Sequence, residues 1–71
     1  MELINDLKKY RTEIGLSQEE LAQAVSVSRQ TIISIEKNVY QPSVTLSLKL
    51  AKKLKVKVED IFAIKNTNDK K

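Results

Sequence analysis

Cysteine and histidine are both missing from these 71 residues; glycine and proline occur once each, with two tyrosines, one phenylalanine and no tryptophan. Each absence excludes something. Without cysteine there are no disulfide staples, and without cysteine or histidine the usual ligand set for zinc is gone, so a metal-free, intracellular (cytoplasmic) chain is expected. The same gap, with no serine-based or paired-carboxylate arrangement in its place, leaves no credible catalytic set, and an enzyme is not expected. Scarce glycine, proline and aromatics argue against strands and hairpins. No apolar run approaches the length needed to cross a membrane, and the first residues lack the apolar core of a signal peptide. There is no internal repeat and no low-complexity segment, and no cofactor or small-molecule ligand is implied.

What remains is a small, mildly basic chain with a helical pattern. A domain of 71 residues buries only roughly 60% of its unfolded surface, so dimerisation would be a natural supplement. The hydrophobic fraction of 41% is ordinary for a folded protein. A net charge of +4 and a pI near 9.5 are compatible with a nucleic-acid partner without deciding the matter. Apolar residues recur at helical spacing nearly throughout. One all-α domain over residues 1–65 is expected, followed by a polar, disordered tail over residues 66–71.

The stretch SQEELAQAVSVSRQTIISIEK, Ser17 to Lys37, organises the rest. Ser17 and Glu20 form a capping box, with Leu16 and Leu21 spaced as its hydrophobic staple. Ser28 caps a second helix, with Val27 and Ile32 as the staple. Two capped starts this close force a turn near residues 24–27, which makes a helix-turn-helix. Upstream, Glu2 to Ile14 reads as a helix with Ile4, Leu7, Arg11 and Ile14 on one face, ended by Gly15 in the left-handed conformation. Arg11 interrupts that apolar stripe and needs a partner. Glu36, also on the inner face of its helix, is expected to supply it in a partly buried structural ion pair.

Downstream, Asn38 stops the second helix and Pro42 keeps its predecessor out of helix. Ser43 then caps a helix running to about Leu54. Its apolar residues cover more than one stripe, so either a five-helix core surrounds it or a second copy covers the excess, notably Leu46 and Leu50. A final helix over residues 58–63 places Glu59 and Asp60 in its first turn, where the helix dipole favours acids. Lys57 is a poor cap for it, and Ile61 and Phe62 are expected to close the core. Residues 62–64 could instead extend and pair with residues 1–3.

The helix that begins after Ser28 turns Ile32, Ile35 and Glu36 to one side and Gln30, Ser34 and Lys37 to the other, with Ile33 on the shoulder. Its first turn carries Arg29, Gln30 and Thr31. Arg bonds two edge atoms of guanine at once, and Gln two of adenine. A first turn that presents both suits the major groove, where recognition helices read with their N-terminal residues. An ordinary solvated helix face has the same composition, and the paired helix starts favour the DNA reading.

SQEELAQAVSVSRQTIISIEKNVYQPS closely resembles the XRE-type helix-turn-helix family, which includes the lambda Cro and repressor DNA-binding domains. VTLSLKLAKKLKVKVEDIF matches the family's closing two helices, so the resemblance runs from about Leu3 to Phe62. It implies a five-helix, lambda-repressor-like domain, with terminal β-pairing in some members. It also implies a small stand-alone transcriptional regulator, a repressor that binds a palindromic double-stranded operator as a homodimer. The alternative is an antitoxin or protein-interaction module of a toxin–antitoxin pair. By position, the resemblance implies that Gln18 anchors a phosphate and that Ser28 brings its helix end to the backbone. Arg29, Gln30, Ile33 and Ser34 would face bases, Thr31 would lie near phosphates, and Lys37, Asn38 and Tyr40 would grip the next phosphates. Leu46, Val56, Val58 and Phe62 would be dimer contacts, and Arg11 with Glu36 the family's buried pair. Family members favour glycine where this chain has Ser26, Asn38 and Lys55, so Ser26 and Lys55 are expected in strained or altered turns. Ile33 would meet a thymine methyl or stand as a harmless exposed isoleucine.

Overall fold

Three of the corners between helices repeat one design, in which a left-handed residue, an apolar residue and a helix N-cap follow one another. The computed structural model describes residues 2–65; Met1 and the polar tail from Asn66 lie outside the described residues, as do the expectations placed on them. Five helices run in order, α1 (Leu7–Glu13), α2 (Gln18–Ala24), α3 (Arg29–Glu36), α4 (Val44–Leu54) and α5 (Val58–Ile61). Two short strands flank them, β1 (Glu2–Asn5) and β2 (Phe62–Lys65).

The corners are Gly15-Leu16-Ser17, Ser26-Val27-Ser28 and Lys55-Val56-Lys57. Their first residues have φ of 81°, 63° and 61°. In each, the amide of the apolar residue returns to a carbonyl in the last turn of the helix just ended: Leu16 to Arg11 at 3.1 Å, Val27 to Ala22 at 3.0 Å, Val56 to Ala51 at 3.0 Å. These are Schellman closures, which satisfy carbonyls that a helix end leaves without partners. Leu16, Val27 and Val56 all pack on the core. Each therefore ends one helix and staples the start of the next. The α3 end uses the same closure, with Asn38 at φ 62° and the Val39 amide returning to Ser34 at 2.9 Å. There the apolar position fails, because Val39 is 77% exposed.

The expected caps form. Ser17 accepts from the Glu20 amide at 3.0 Å while Glu20 accepts from the Ser17 amide at 2.8 Å. Ser28 and Ser43 accept from the amides of Thr31 and Leu46, both at 3.1 Å. At α5 the Asp60 carboxylate accepts from the Lys57 amide at 2.9 Å. The start that Lys57 caps poorly is thus held by an acid reaching back, without help from the Lys57 side chain.

The two ends of the chain depart from the helical reading. Residues 2–5 are not the first turn of a helix. They form β1, antiparallel to β2, with Leu3 opposite Ile64, Ile4 opposite Ala63 and Asn5 opposite Phe62. The ribbon is longer than the three-residue pairing considered above, and α5 stops at Ile61 rather than Ala63. Asn5 breaks the helix upstream of Leu7 because its side-chain oxygen accepts from the Leu7 amide at 3.0 Å, a local bond that competes with helix. The Asp6 amide then bonds the Ile61 carbonyl at 2.8 Å, which continues the pairing. Ile4, expected inside on helical spacing, is consequently 36% exposed, and Ile14, at the C-cap of α1, is 51% exposed.

The core is built from Leu7, Leu21, Ala22, Val25, Ile32, Ile35, Leu46, Leu50, Ala51, Leu54 and Ile61. Leu46 and Leu50 are covered within one chain, so no second copy is needed to bury them; the five-helix core does so. What α4 leaves outside is Val44 and Leu48. Burying an aliphatic side chain of this size stabilises by about 1.5–3 kcal/mol, so α4, which supplies four core residues, anchors the fold. No described helix is long and apolar enough to cross a membrane.

Candidate nucleic-acid interface

The orientation of α3 follows from its two buried residues. Ile32 and Ile35 have no exposed surface; with both held inside, the opposite face must point outward. Arg29, Gln30 and Lys37 are exposed, and Thr31, Ile33 and Ser34 are half-buried. Ile33 is therefore neither a core residue nor a fully free one. No hydrogen bond among the described residues engages the Arg29 guanidinium. The Gln30 amide lies 3.4 Å from the Ser34 hydroxyl, one turn on.

Two shallow hollows flank the start of α3. One, of about 230 Å³, is lined by Ser28, Gln30, Thr31, Ser34 and Tyr40. It brings together five of the residues singled out from the sequence. The other, of about 600 Å³, is lined by Lys8, Arg11, Ser17, Gln18, Glu19 and Arg29. Lys8 borders this hollow beside Gln18 and Arg29, and the sequence reading did not single it out; its signal was the exposed Lys8-Lys9 pair just before the inward Arg11. Lys37 and Asn38 join neither hollow. They sit beyond the far end of α3, where Asn38 lines a third cleft with Leu3, Asn5, Tyr40 and Phe62.

A buried polar cluster fixes the angle at which α3 is presented. The Arg11 Nε donates to Glu36 Oε2 at 2.6 Å and its Nη2 to Oε1 at 3.2 Å. Its remaining nitrogen donates to the Leu16 carbonyl at 2.8 Å. The expected ion pair is thus present, and it joins α1, the α1–α2 corner and α3. Gln18 adds a third bond to Glu36, Nε2 to Oε1 at 3.1 Å. One of its two side-chain amide protons is therefore committed inside the protein, which leaves the other, the carbonyl oxygen and the backbone amide at the α2 start for anything outside. Among the described residues no buried side-chain polar atom lacks a partner.

Of the four residues expected at a dimer contact, Leu46 is corrected. It is 8% exposed in a single chain and belongs to the core. It was chosen by position in the resemblance, and the inward turn of α4 at that position overrides this. Val56, Val58 and Phe62 are half-buried and pack on the edge of the same core.

Chemically, the α3 face offers a forked cation, an amide, hydroxyls and one apolar side chain, with a hollow on either side of its start. It has no enclosed cavity, no nucleophile–base pair and, among the described residues, no cluster of acids able to hold a metal ion. An exposed helix face of donors and acceptors suits a groove.

Comparison with known proteins agrees. The helix-turn-helix family model matches residues 7–61. An HTH-type transcriptional regulator of Methanocaldococcus jannaschii is 57% identical over 58 residues, covering 82% of this chain and 88% of its own. The restriction-modification controller protein C.AhdI from Aeromonas hydrophila superposes with a TM-score of 0.72 at 33% identity, over 76% of this chain and 82% of that one. SinR, a master regulator for biofilm formation, was crystallised in complex with DNA. It superposes with a TM-score of 0.69 at 37% identity, over 75% and 86% of the two chains.

Proposed function

We propose that this chain, which belongs to the helix-turn-helix family of DNA-binding transcriptional regulators and is not an enzyme, is a cytoplasmic repressor that reads a palindromic operator as a homodimer. The observation that carries the reading is the presentation of α3. Ile32 and Ile35 are sealed inside, and the Arg11–Glu36–Gln18 cluster braces the helix from behind. Arg29 and Gln30 are left exposed on its first turn.

Base reading falls to Arg29 and Gln30, whose forked groups suit guanine and adenine, with Ser34 beside them and Ile33 against a thymine methyl. Ser28, Thr31, Lys37, Asn38, Tyr40 and the α2 start at Gln18 set the register on phosphates, which position without specifying sequence. Lys8 joins them from α1. Two copies place their α3 helices about 34–36 Å apart, one turn of the duplex. Repression follows when the occupied site overlaps the path of the polymerase.

The second copy docks through apolar surface that one chain leaves uncovered. Val44 and Leu48 of α4 are 77% and 57% exposed, beside the half-buried Val56, Val58 and Phe62. The same surface would serve a protein partner such as a toxin, the second reading. Selection of bound duplexes from a random pool separates the two. Enrichment of a two-fold symmetric sequence supports the repressor, and a pool that stays random overturns it.

A further inference from the structure

Asn5 lies outside the helix-turn-helix, on β1, yet its side chain is bonded to three residues: one at the start of α1, one in α3 and one in the closure of α3. Its oxygen accepts from the Leu7 amide at the start of α1, at 3.0 Å. Its nitrogen donates to the Ile35 carbonyl in the last turn of α3 and to Asn38 Oδ1, at 3.2 Å, in the left-handed residue that ends that helix. Both amide protons and the carbonyl of one side chain are thereby used. The Ile35 carbonyl also accepts from the Asn38 amide at 2.9 Å, so Asn5 and the helix closure meet at one oxygen. Asn5 is held in turn by the ribbon, opposite Phe62.

We propose that Asn5 is a positioning residue for DNA binding: it fixes the end of α3 and the loop through Tyr40 against the β1–β2 ribbon. The inference rests on the DNA reading above. Arg11 and Gln18 hold Glu36, the last residue of α3, from the α1 side, and no bond of that cluster reaches the loop over residues 38–40 beyond it. There the apolar residue of the Schellman closure, Val39, packs on nothing, being 77% exposed. The other three corners are pinned by half-buried Leu16, Val27 and Val56, which pack on the core; this one is pinned by the Asn5 amide instead. Lys37, Asn38 and Tyr40, the residues given phosphate contacts, are the ones whose placement depends on it. Loss of the bond frees the loop to sample other positions, and phosphate contacts made by a wandering loop weaken.

The test uses the full chain and a duplex enriched from the random pool. Asn5→Asp keeps the oxygen that accepts from Leu7 and removes both donated protons, setting a carboxylate against the Ile35 carbonyl. Asn5→Ser also spares a cap on Leu7 and cannot reach Ile35. Affinity is measured for the native duplex and for duplexes with a single uncharged methylphosphonate at each phosphate of the half-site in turn. Because partial unfolding scales all affinities alike, the ratio of native to modified duplex is independent of stability. In the wild type, neutralising the phosphates under the Lys37–Tyr40 loop weakens binding several-fold. Both variants are expected to bind the native duplex about tenfold more weakly and to lose that sensitivity, while the phosphates near Gln18 and Ser28 keep theirs. An unchanged pattern in either variant, or sensitivity lost equally at all phosphates, overturns the role given to Asn5. Failure of the wild type to bind any duplex overturns the DNA reading itself, a distinct result.

Discussion

Arg11 and Glu36, 25 residues apart in the chain, meet in a two-pronged ion pair whose side chains retain 9% and 6% of their exposure. A pair this buried brings little net stability over an apolar replacement, but breaking it strands a charge. Glu36→Ala is therefore expected to cost about 3–5 kcal/mol. It also deprives Gln18 of its acceptor. The double variant Arg11→Met with Glu36→Leu should recover most of the loss. Urea unfolding of the two variants checks this, and a double variant no more stable than Glu36→Ala would show that the pair is held for more than its geometry.

Lys55 closes α4 with φ at 61°, a conformation that costs a residue with a Cβ about 1–2 kcal/mol. Glycine avoids that strain but loses about 0.5–1 kcal/mol through the freedom it gains when unfolded. The net expectation for Lys55→Gly is a gain of about 0.5 kcal/mol, seen as a melting temperature higher by about 2–4 °C. Asn38→Gly is expected to differ in sign despite the same φ, because Asn38 also accepts from Asn5. A thermal melt of both variants compares them directly, and equal shifts would mean the Asn5 bond contributes nothing to stability.

The interior of the fold was legible in the sequence where signals were local and doubled. The Ser17–Glu20 box, the Ser28 and Ser43 caps and the left-handed stops at Gly15 and Asn38 each combined a capping residue with an apolar neighbour. The Arg11–Glu36 pair was legible because a charge inside an apolar stripe requires an opposite charge. The ribbon was legible only as an alternative, and too short, because Ile4, Leu7, Arg11 and Ile14 mimic helical spacing. What decides between helix and strand there is nonlocal: β1 finds β2 some sixty residues on, and that pairing has no signature within either segment. Asn5-Asp6 was the available local hint of a helix start. The side that Leu46 takes stayed open for a similar reason, since α4 is apolar on more than one stripe and only packing says which stripe is inside. In the candidate site, sequence spacing brought out the α3 residues. It could not show that the side chain of Gln18 turns inward to Glu36, nor that Lys8 from α1 borders the same hollow.

Arg29 and Lys37 stand at opposite ends of α3, both exposed, and should fail differently when removed. Arg29→Ala is expected to weaken operator binding by roughly 1–3 kcal/mol and to relax preference at one base pair. Lys37→Ala should weaken all sequences alike and reduce the salt slope by about one unit. Titrations on cognate and mismatched duplexes at several salt concentrations separate the two. A uniform loss across sequences for Arg29→Ala would make it a phosphate contact.

Leu46 and Leu48 are two residues apart on α4 and face opposite ways, 8% and 57% exposed. They therefore separate folding from assembly. Leu46→Ala opens a hole in the core and is expected to cost about 2–5 kcal/mol, whatever the state of association. Leu48 is outside the core cluster, and a lysine stem can cover the same surface, so the effect of Leu48→Lys on the fold of a single chain should stay within about 0.5 kcal/mol. If two copies meet through the outer stripe of α4, however, that lysine sets like charges against each other across the two-fold axis. Sedimentation at micromolar concentration should then find the wild type as a dimer and Leu48→Lys as a folded monomer. Such a monomer should still bind a half-site through α3, with the steep gain from a second half-site lost. A Leu48→Lys chain that remains dimeric would move the contact off α4 and onto Val56, Val58 and Phe62 alone.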